Sequence, residues 1–91
     1  MTPFLSALSR VVKGIPKGKT LSYAQVALRA GKPGAARAVV RGLYAVRGLP
    51  WWRVIKSDGT VAKEMVAEQV PKLLREGVKV SGRRVPAEAR L

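Results

Sequence analysis

Residues 21–46 read LSYAQVALRAGKPGAARAVVRGLYAV, and the punctuation of that stretch decides the fold. Ser22 and Gln25 form an S-x-x-Q capping box, in which each side chain satisfies a backbone N–H that the helix start leaves free. A short helix is therefore expected to begin at Ser22 and to stop at Gly31. Lys32-Pro33-Gly34 reads as a turn. Pro33 or Gly34 then opens a second helix with Ala36, Val39, Val40 and Leu43 on its inner face. Two short helices joined by a tight glycine-containing turn make a helix-turn-helix pattern. Such a pattern recurs by chance in helical proteins, so its weight comes from what surrounds it.

The surroundings are strongly basic. Lys plus Arg number 18 against 5 acidic residues, a formal charge of +13. Such a surface attracts polyanions at long range. The basic residues spread over the whole chain rather than along one amphipathic helix, which favours nucleic acid over an anionic membrane. The chain has 91 residues, 47% of them hydrophobic, enough for one small domain (residues 1–91) with a modest core. No run of about 18 apolar residues offers a membrane span. The start, MTPFLSALSRVVKG, lacks the layout of a signal peptide, so a cytoplasmic protein is expected, nucleoid-associated if bacterial. There is no cysteine and no histidine. Disulfides, thiol nucleophiles, imidazole bases and the usual zinc ligands are thus excluded together. No metal site or cofactor is expected, and enzymatic catalysis is disfavoured.

Outward from the centre, Thr2-Pro3 is a helix start, followed by the apolar stripe Phe4, Leu5, Leu8, Val11 and Val12 and closed by Gly14 and Pro16. Downstream, GLPWWRVIK (48–56) places Trp51 and Trp52 side by side. Adjacent residues diverge on any regular backbone, so one core cannot easily take both indoles. Val54 and Ile55, the turn Ser57-Asp58-Gly59 and Val61 suggest a short hairpin or wing. MVAEQVPKLLREG carries a last helix in which Pro71 marks either the true start or a kink. VKVSGRRVPAEARL follows as an extended pair around Ser81-Gly82, with 87–91 as a flexible tail. The outline is mainly α with small β-elements: a winged-helix-like helix-turn-helix domain.

Three segments, GKTLSYAQVA, GKPGAARAV and LPWWRVIKSDG, together resemble the DNA-binding domain of the O6-alkylguanine-DNA alkyltransferases. Those repair enzymes carry Pro-Cys-His-Arg-Val where this chain has Pro50-Trp51-Trp52-Arg53-Val54, and their cysteine accepts the alkyl group. Tryptophan at the cysteine position is the mark of the alkyltransferase-like proteins, which resemble the enzymes but lack the nucleophile. Most of these keep histidine next, so Trp52 departs even from them. LLREGVKVSGRRVP also looks like their C-terminal part, and the similarity spans about Thr2 to Pro86.

The resemblance implies a non-enzymatic sensor that binds double-stranded DNA through the minor groove and rotates an O6-alkylguanine out of the duplex. It implies a lesion pocket of Trp51, Tyr23 and Val54, with Trp51 as a flat wall for the purine. Arg37 becomes the arginine finger that fills the vacated base stack. Ala36 and Ala38 let the helix sit deep, beside Gly34 and Ala35. Lys32, Arg41 and Arg47 are candidate phosphate contacts, and Ser22 either touches the backbone or only caps its helix. Trp52 and Arg53 are structural support, Arg53 tying pocket to recognition helix. Read without the resemblance, Trp51 is a second core tryptophan, Tyr23 a helix-face core aromatic and Arg37 an ordinary surface arginine. Past the wing, where relatives often place an arginine against the alkylated base, AKEMV offers Lys63 or Glu64. A monomer that marks lesions for nucleotide excision repair proteins is the implied mode of action. A general winged-helix DNA-binding module without lesion preference is the alternative.

Overall fold

The computed structural model describes residues 2–91; Met1, the first residue of the expected domain, lies outside them. Thr2 caps the first helix, α1 (Pro3–Lys13), its hydroxyl accepting from the Leu5 N–H at 3.2 Å. Pro3 takes the first helical position, where no N–H is required. The apolar stripe faces inward: Leu8 and Val12 are fully buried, with Phe4, Leu5 and Val11 packed at the margin. Gly14 closes the helix.

Both arms of the capping box form at the start of α2 (Tyr23–Arg29). Gln25 N–H donates to Ser22 Oγ at 3.0 Å, and Ser22 N–H donates to Gln25 Oε1 at 2.8 Å. The second helix of the motif, α3 (Ala36–Ala45), begins later than Pro33 or Gly34. Gly34 has φ +84°, a left-handed conformation that serves the turn and cannot continue into a helix. On α3, Val39 is fully buried but Val40 is exposed, so the inner face is narrower than the apolar pattern suggests.

Gly42 shows how tightly α3 sits on α1. A Cβ there would lie 2.8 Å from Leu8 Cδ2 and 3.1 Å from Leu5 Cδ2. Leu8 is itself fully buried, so its side chain can give way only against other core residues. Overpacking of this kind costs about 1–3 kcal/mol, against about 1 kcal/mol of helix propensity gained. Gly42→Ala is therefore expected to destabilise the fold by about 1 kcal/mol in urea or thermal unfolding.

The hairpin expected after Trp52 does not form. The strand β2 (Val54–Ile55) pairs in parallel with β1 (Leu21–Ser22), Leu21 opposite Val54 and Ser22 opposite Ile55. The turn at 57–59 is present, with Asp58 accepting from the Thr60 N–H at 3.0 Å and from Thr60 Oγ1 at 2.6 Å. Beyond it, Thr60 bridges to Arg84, and the Val61 N–H donates to the Arg83 carbonyl at 2.7 Å. Burial explains the choice. Val54 belongs to a core cluster under α1–α3, and Ile55 to a second cluster with Val61, Leu73, Val78, Val85 and Ala89. A strand covered on both faces is an interior element, which a solvent-exposed wing cannot be.

The last helix, α4 (Val66–Arg75), follows a 3₁₀ turn at Lys63–Met65 and contains Pro71 in its interior. The carbonyl that Pro71 leaves unpaired belongs to Ala67; both residues are exposed, so water can serve it. Ser81 and Arg84 bridge around Gly82, as the extended pair predicts. The final residues are pinned rather than free. Ala89 is buried, its carbonyl accepts from the Thr20 N–H at 2.8 Å, and the Leu91 N–H donates to the Thr20 carbonyl at 2.9 Å. Thr20 precedes β1, so the C-terminus lies along the strand that leads into the helix-turn-helix. Among the described residues no helix is long and apolar enough to cross a membrane.

Candidate nucleic-acid interface

The second helix of the motif, α3, presents a basic, low-profile face. Arg37 and Arg41 stand one turn apart on α3 and are both exposed, as are Lys32 in the turn and Arg47 beyond the helix end. Ala35, Ala36 and Ala38 keep the first turn of α3 slim, so Arg37 projects past its neighbours. Ala35 at the cap offers no side-chain acceptor, which leaves first-turn N–H groups open to a phosphate. Lys32 lies with its ammonium 5.3 Å from the centre of the Phe4 ring, which steadies the turn against α1.

Behind this face lies a cavity of about 400 Å³, lined chiefly by Tyr23, Val40, Leu43, Tyr44, Trp51 and Met65. Small-molecule pockets commonly span about 300–1,000 Å³. The capping box sets Tyr23 at the first position of α2, where its ring enters the cavity wall. Burial, with smaller contributions from Tyr44 and Glu64, holds the Tyr23 phenol above its ordinary pKa, so it is a neutral hydroxyl donor at working pH. The segment Val46–Leu49 forms a further side of the cavity, with Arg47 contributing to it.

The adjacent tryptophans part company at a 3₁₀ turn, Trp51–Arg53. Their rings meet edge to face, 6.0 Å apart and 83° between planes. Trp51 faces the cavity, while Trp52 packs on the second core cluster. Trp52 donates its Nε1–H to Glu76 Oε2 at 3.0 Å and carries the Lys72 ammonium over its ring at 5.2 Å. Arg53 donates to Glu76 through Nε at 2.9 Å and Nη2 at 2.6 Å, and to the Ile15 carbonyl through Nη1 at 2.9 Å. It therefore ties α4 to the segment after α1, and not the pocket to the recognition helix.

Val54 is a second correction. It is fully buried under α1–α3 and does not line the cavity. In its neighbourhood the cavity is lined instead by Gln69, buried on α4, whose amide nitrogen donates to the carbonyls of Trp52 and Val54, each at 2.9 Å. Ser22 spends its hydroxyl on the cap and lines a small cavity with Thr20, Gln25 and Arg90. Sequence reasoning passed over Tyr44, although it is 74% exposed. A signal existed: Arg37, Val40, Arg41 and Tyr44 fall at i, i+3, i+4 and i+7, one face of α3. Lys63 and Glu64 lie together at a neighbouring cavity, together with Arg83. No group of three His, Cys, Asp or Glu side chains among the described residues is placed to hold a metal.

Residues 3–78 match the family described as the 6-O-methylguanine DNA methyltransferase DNA-binding domain. A DNA base-flipping protein of Vibrio parahaemolyticus is 40% identical over 86 residues, covering 89% of this chain and 86% of its own. The alkyltransferase-like protein 1 of Schizosaccharomyces pombe is 33% identical over 87 residues, covering 88% of this chain and 81% of its own. The crystal structure of S. pombe Atl1 in complex with damaged DNA containing O6-carboxymethylguanine superposes with a TM-score of 0.81 at 32% identity, over 89% of this chain and 82% of that one. With its helix-turn-helix and its exposed arginines, this chain belongs to the 6-O-methylguanine DNA methyltransferase DNA-binding-domain family, as one of its alkyltransferase-like members.

Proposed function

We propose that this protein is a non-enzymatic sensor of O6-alkylguanine in duplex DNA, which holds the damaged base in the cavity beside Trp51. The observation that carries the reading is the juxtaposition of that largely apolar cavity with the exposed Arg37 face of α3. A purine rotated out of the duplex loses a few kcal/mol of stacking and pairing. An indole wall returns part of that, about 1–3 kcal/mol per base in single-strand binders. Arg37, planar and permanently charged, fills the gap by stacking and hydrogen bonding. Entry from the minor groove suits damage sensing, because readout there tolerates sequence. The base-flipping name of the Vibrio relative and the damaged DNA bound by S. pombe Atl1 support the reading.

Without cysteine or histidine the chain has no thiol to accept an alkyl group and no imidazole to activate one. Its product is a persistent complex. We propose that this complex marks the lesion for nucleotide excision repair proteins, and that the sensor acts as a monomer.

The test is competition binding at one fixed salt concentration between duplexes that differ only in guanine or O6-methylguanine at one position. Salt must be fixed because neutralising about six phosphates alone changes affinity about a thousandfold between 50 and 200 mM. A clear preference for the modified duplex is expected, reduced together with flipping in Arg37→Ala. Equal binding of the two duplexes would make this a general DNA-binding module. Mass spectrometry of both partners should find the lesion intact; alkyl transfer or lesion loss would overturn the non-enzymatic assignment.

A further inference from the structure

At 74% exposure, Tyr44 is the most exposed large hydrophobic side chain among the described residues. A lone exposed aromatic needs no explanation; the position of this one does. It stands on the face of α3 shared by Arg37, Val40 and Arg41, two turns or about 10 Å beyond Arg37. It also lines the cavity that Trp51 faces, together with a neighbouring cavity of about 360 Å³ that Lys56, Lys63 and Arg83 help to wall. The ring thus has unfilled space on two sides. Its one hydrogen bond among the described residues is weak: the hydroxyl donates to Met65 Sδ at 4.0 Å, a soft acceptor on a flexible side chain. The hydroxyl still reaches the cavity mouth, since burial raises the Tyr23 phenol pKa and Tyr44 adds to the rise. The one aromatic pair among the described residues is Trp51–Trp52. Tyr23, Tyr44 and Trp51 therefore surround one space without ring-to-ring contact.

We propose that Tyr44 is an aromatic lid, which closes on the flipped purine from α3 while Trp51 serves as the fixed wall. The proposal rests on the reading above, in which the damaged base occupies that cavity. The two rings differ in how they are held. Trp51 packs edge to face on Trp52, whose indole is itself anchored to Glu76, whereas Tyr44 has only the sulfur contact. A purine has two π-faces, and a single wall leaves one of them to water. This chain has no thiol to hold the base covalently, so retention depends on such non-covalent cover. Closing the lid needs only rotation about the tyrosine side chain, which exposed residues complete in picoseconds to nanoseconds. Ordering that side chain costs entropy, so the gain is set at the low end of base stacking, about fivefold. The ring folds over a base that has already entered. Its effect therefore falls on release rather than on capture.

The experiment measures association and dissociation rates of the full chain on two duplexes that carry guanine or O6-methylguanine at one position, at one fixed salt concentration. Tyr44→Ala is expected to release the methylguanine duplex about fivefold faster than wild type. Its association rate and its affinity for the guanine duplex should stay nearly unchanged. Tyr44→Phe keeps the ring and should release like wild type. Because Tyr44 is exposed, Tyr44→Ala should keep the wild-type midpoint in urea, and the lesion-to-guanine ratio of release rates cancels any shared loss. Equal weakening on both duplexes makes Tyr44 a general DNA contact and overturns the lid. A loss confined to the association rate overturns it too, as does Tyr44→Phe behaving like Tyr44→Ala, which would assign the effect to the hydroxyl. Unchanged release in Tyr44→Ala leaves the ring no role over the base. If wild type itself does not prefer the methylguanine duplex, the lesion-sensing function fails first, before any question of a lid.

Discussion

Trp51→Ala is expected to cut the ratio of affinities for O6-methylguanine and guanine duplexes by about 5- to 150-fold, while general DNA binding survives. The figure follows from the about 1–3 kcal/mol that an aromatic wall supplies to a base. The ratio is the right quantity because Trp51 also packs edge to face on Trp52, so its loss will lower stability as well. A fold defect shared by both duplexes cancels in the ratio; a lost pocket wall does not. Arg41 and Arg47, the proposed phosphate contacts, are untouched by the change, and on that proposal they maintain affinity for undamaged DNA. If the ratio is unchanged in Trp51→Ala, the indole is core packing and the cavity binds no base.

Glu76→Gln is expected to destabilise the fold by about 2–4 kcal/mol, a large part of the about 5–15 kcal/mol typical of such domains. Arg53 and Glu76 side chains are 15% and 7% exposed, and the carboxylate also accepts the Trp52 indole N–H. Removing one charge of a fully buried pair costs about 3–5 kcal/mol, and partial exposure lowers that somewhat. The pair joins the segment after α1, the tryptophan turn and the end of α4, in addition to the Gln69 bonds between α4 and that turn. Hydrogen bonds from Arg53 depress the Glu76 pKa, against the upward push of burial and with help from Trp52. The sign follows directly. A depressed folded-state pKa means the stabilisation is complete above the ordinary glutamate value of about 4.3 and is lost as pH falls through the lower folded value. The stability difference between wild type and Glu76→Gln should therefore be constant near neutrality and shrink below about pH 4 in urea melts. A difference that does not change with pH would mean that Glu76 acts by packing rather than by charge.

Much of the candidate interface was legible because its causes are local. The capping box at Ser22, the turn glycines and the alanine-rich start of α3 act within a few residues, and they placed Tyr23, Arg37 and Lys32 close to where the fold holds them. Even so, the start of α3 was misjudged, since the same glycine that favours a turn at Gly34 also forbids helix there. Val40 and Tyr44 were harder. An apolar stripe says that a face exists but not which part of it another element covers: α1 covers Gly42 and the core cluster takes Val39, while Val40 is left to the cavity.

By itself the sequence determined the charge that seeks a polyanion, the absence of any thiol or imidazole, the helix-turn-helix and the impossibility of burying Trp51 and Trp52 in one direction. Only the tertiary structure decided which indole faces the cavity, that Val54 is core, that β2 pairs with β1 rather than with its own hairpin, and that Arg53 reaches Glu76 and Ile15. It also brought Lys56, Lys63 and Arg83 around one chamber and laid the C-terminus along Thr20. The division has one physical reason. Caps, turns and charge are properties of neighbouring residues, whereas strand partners, ion pairs and cavity walls depend on which distant segments share the same buried surface.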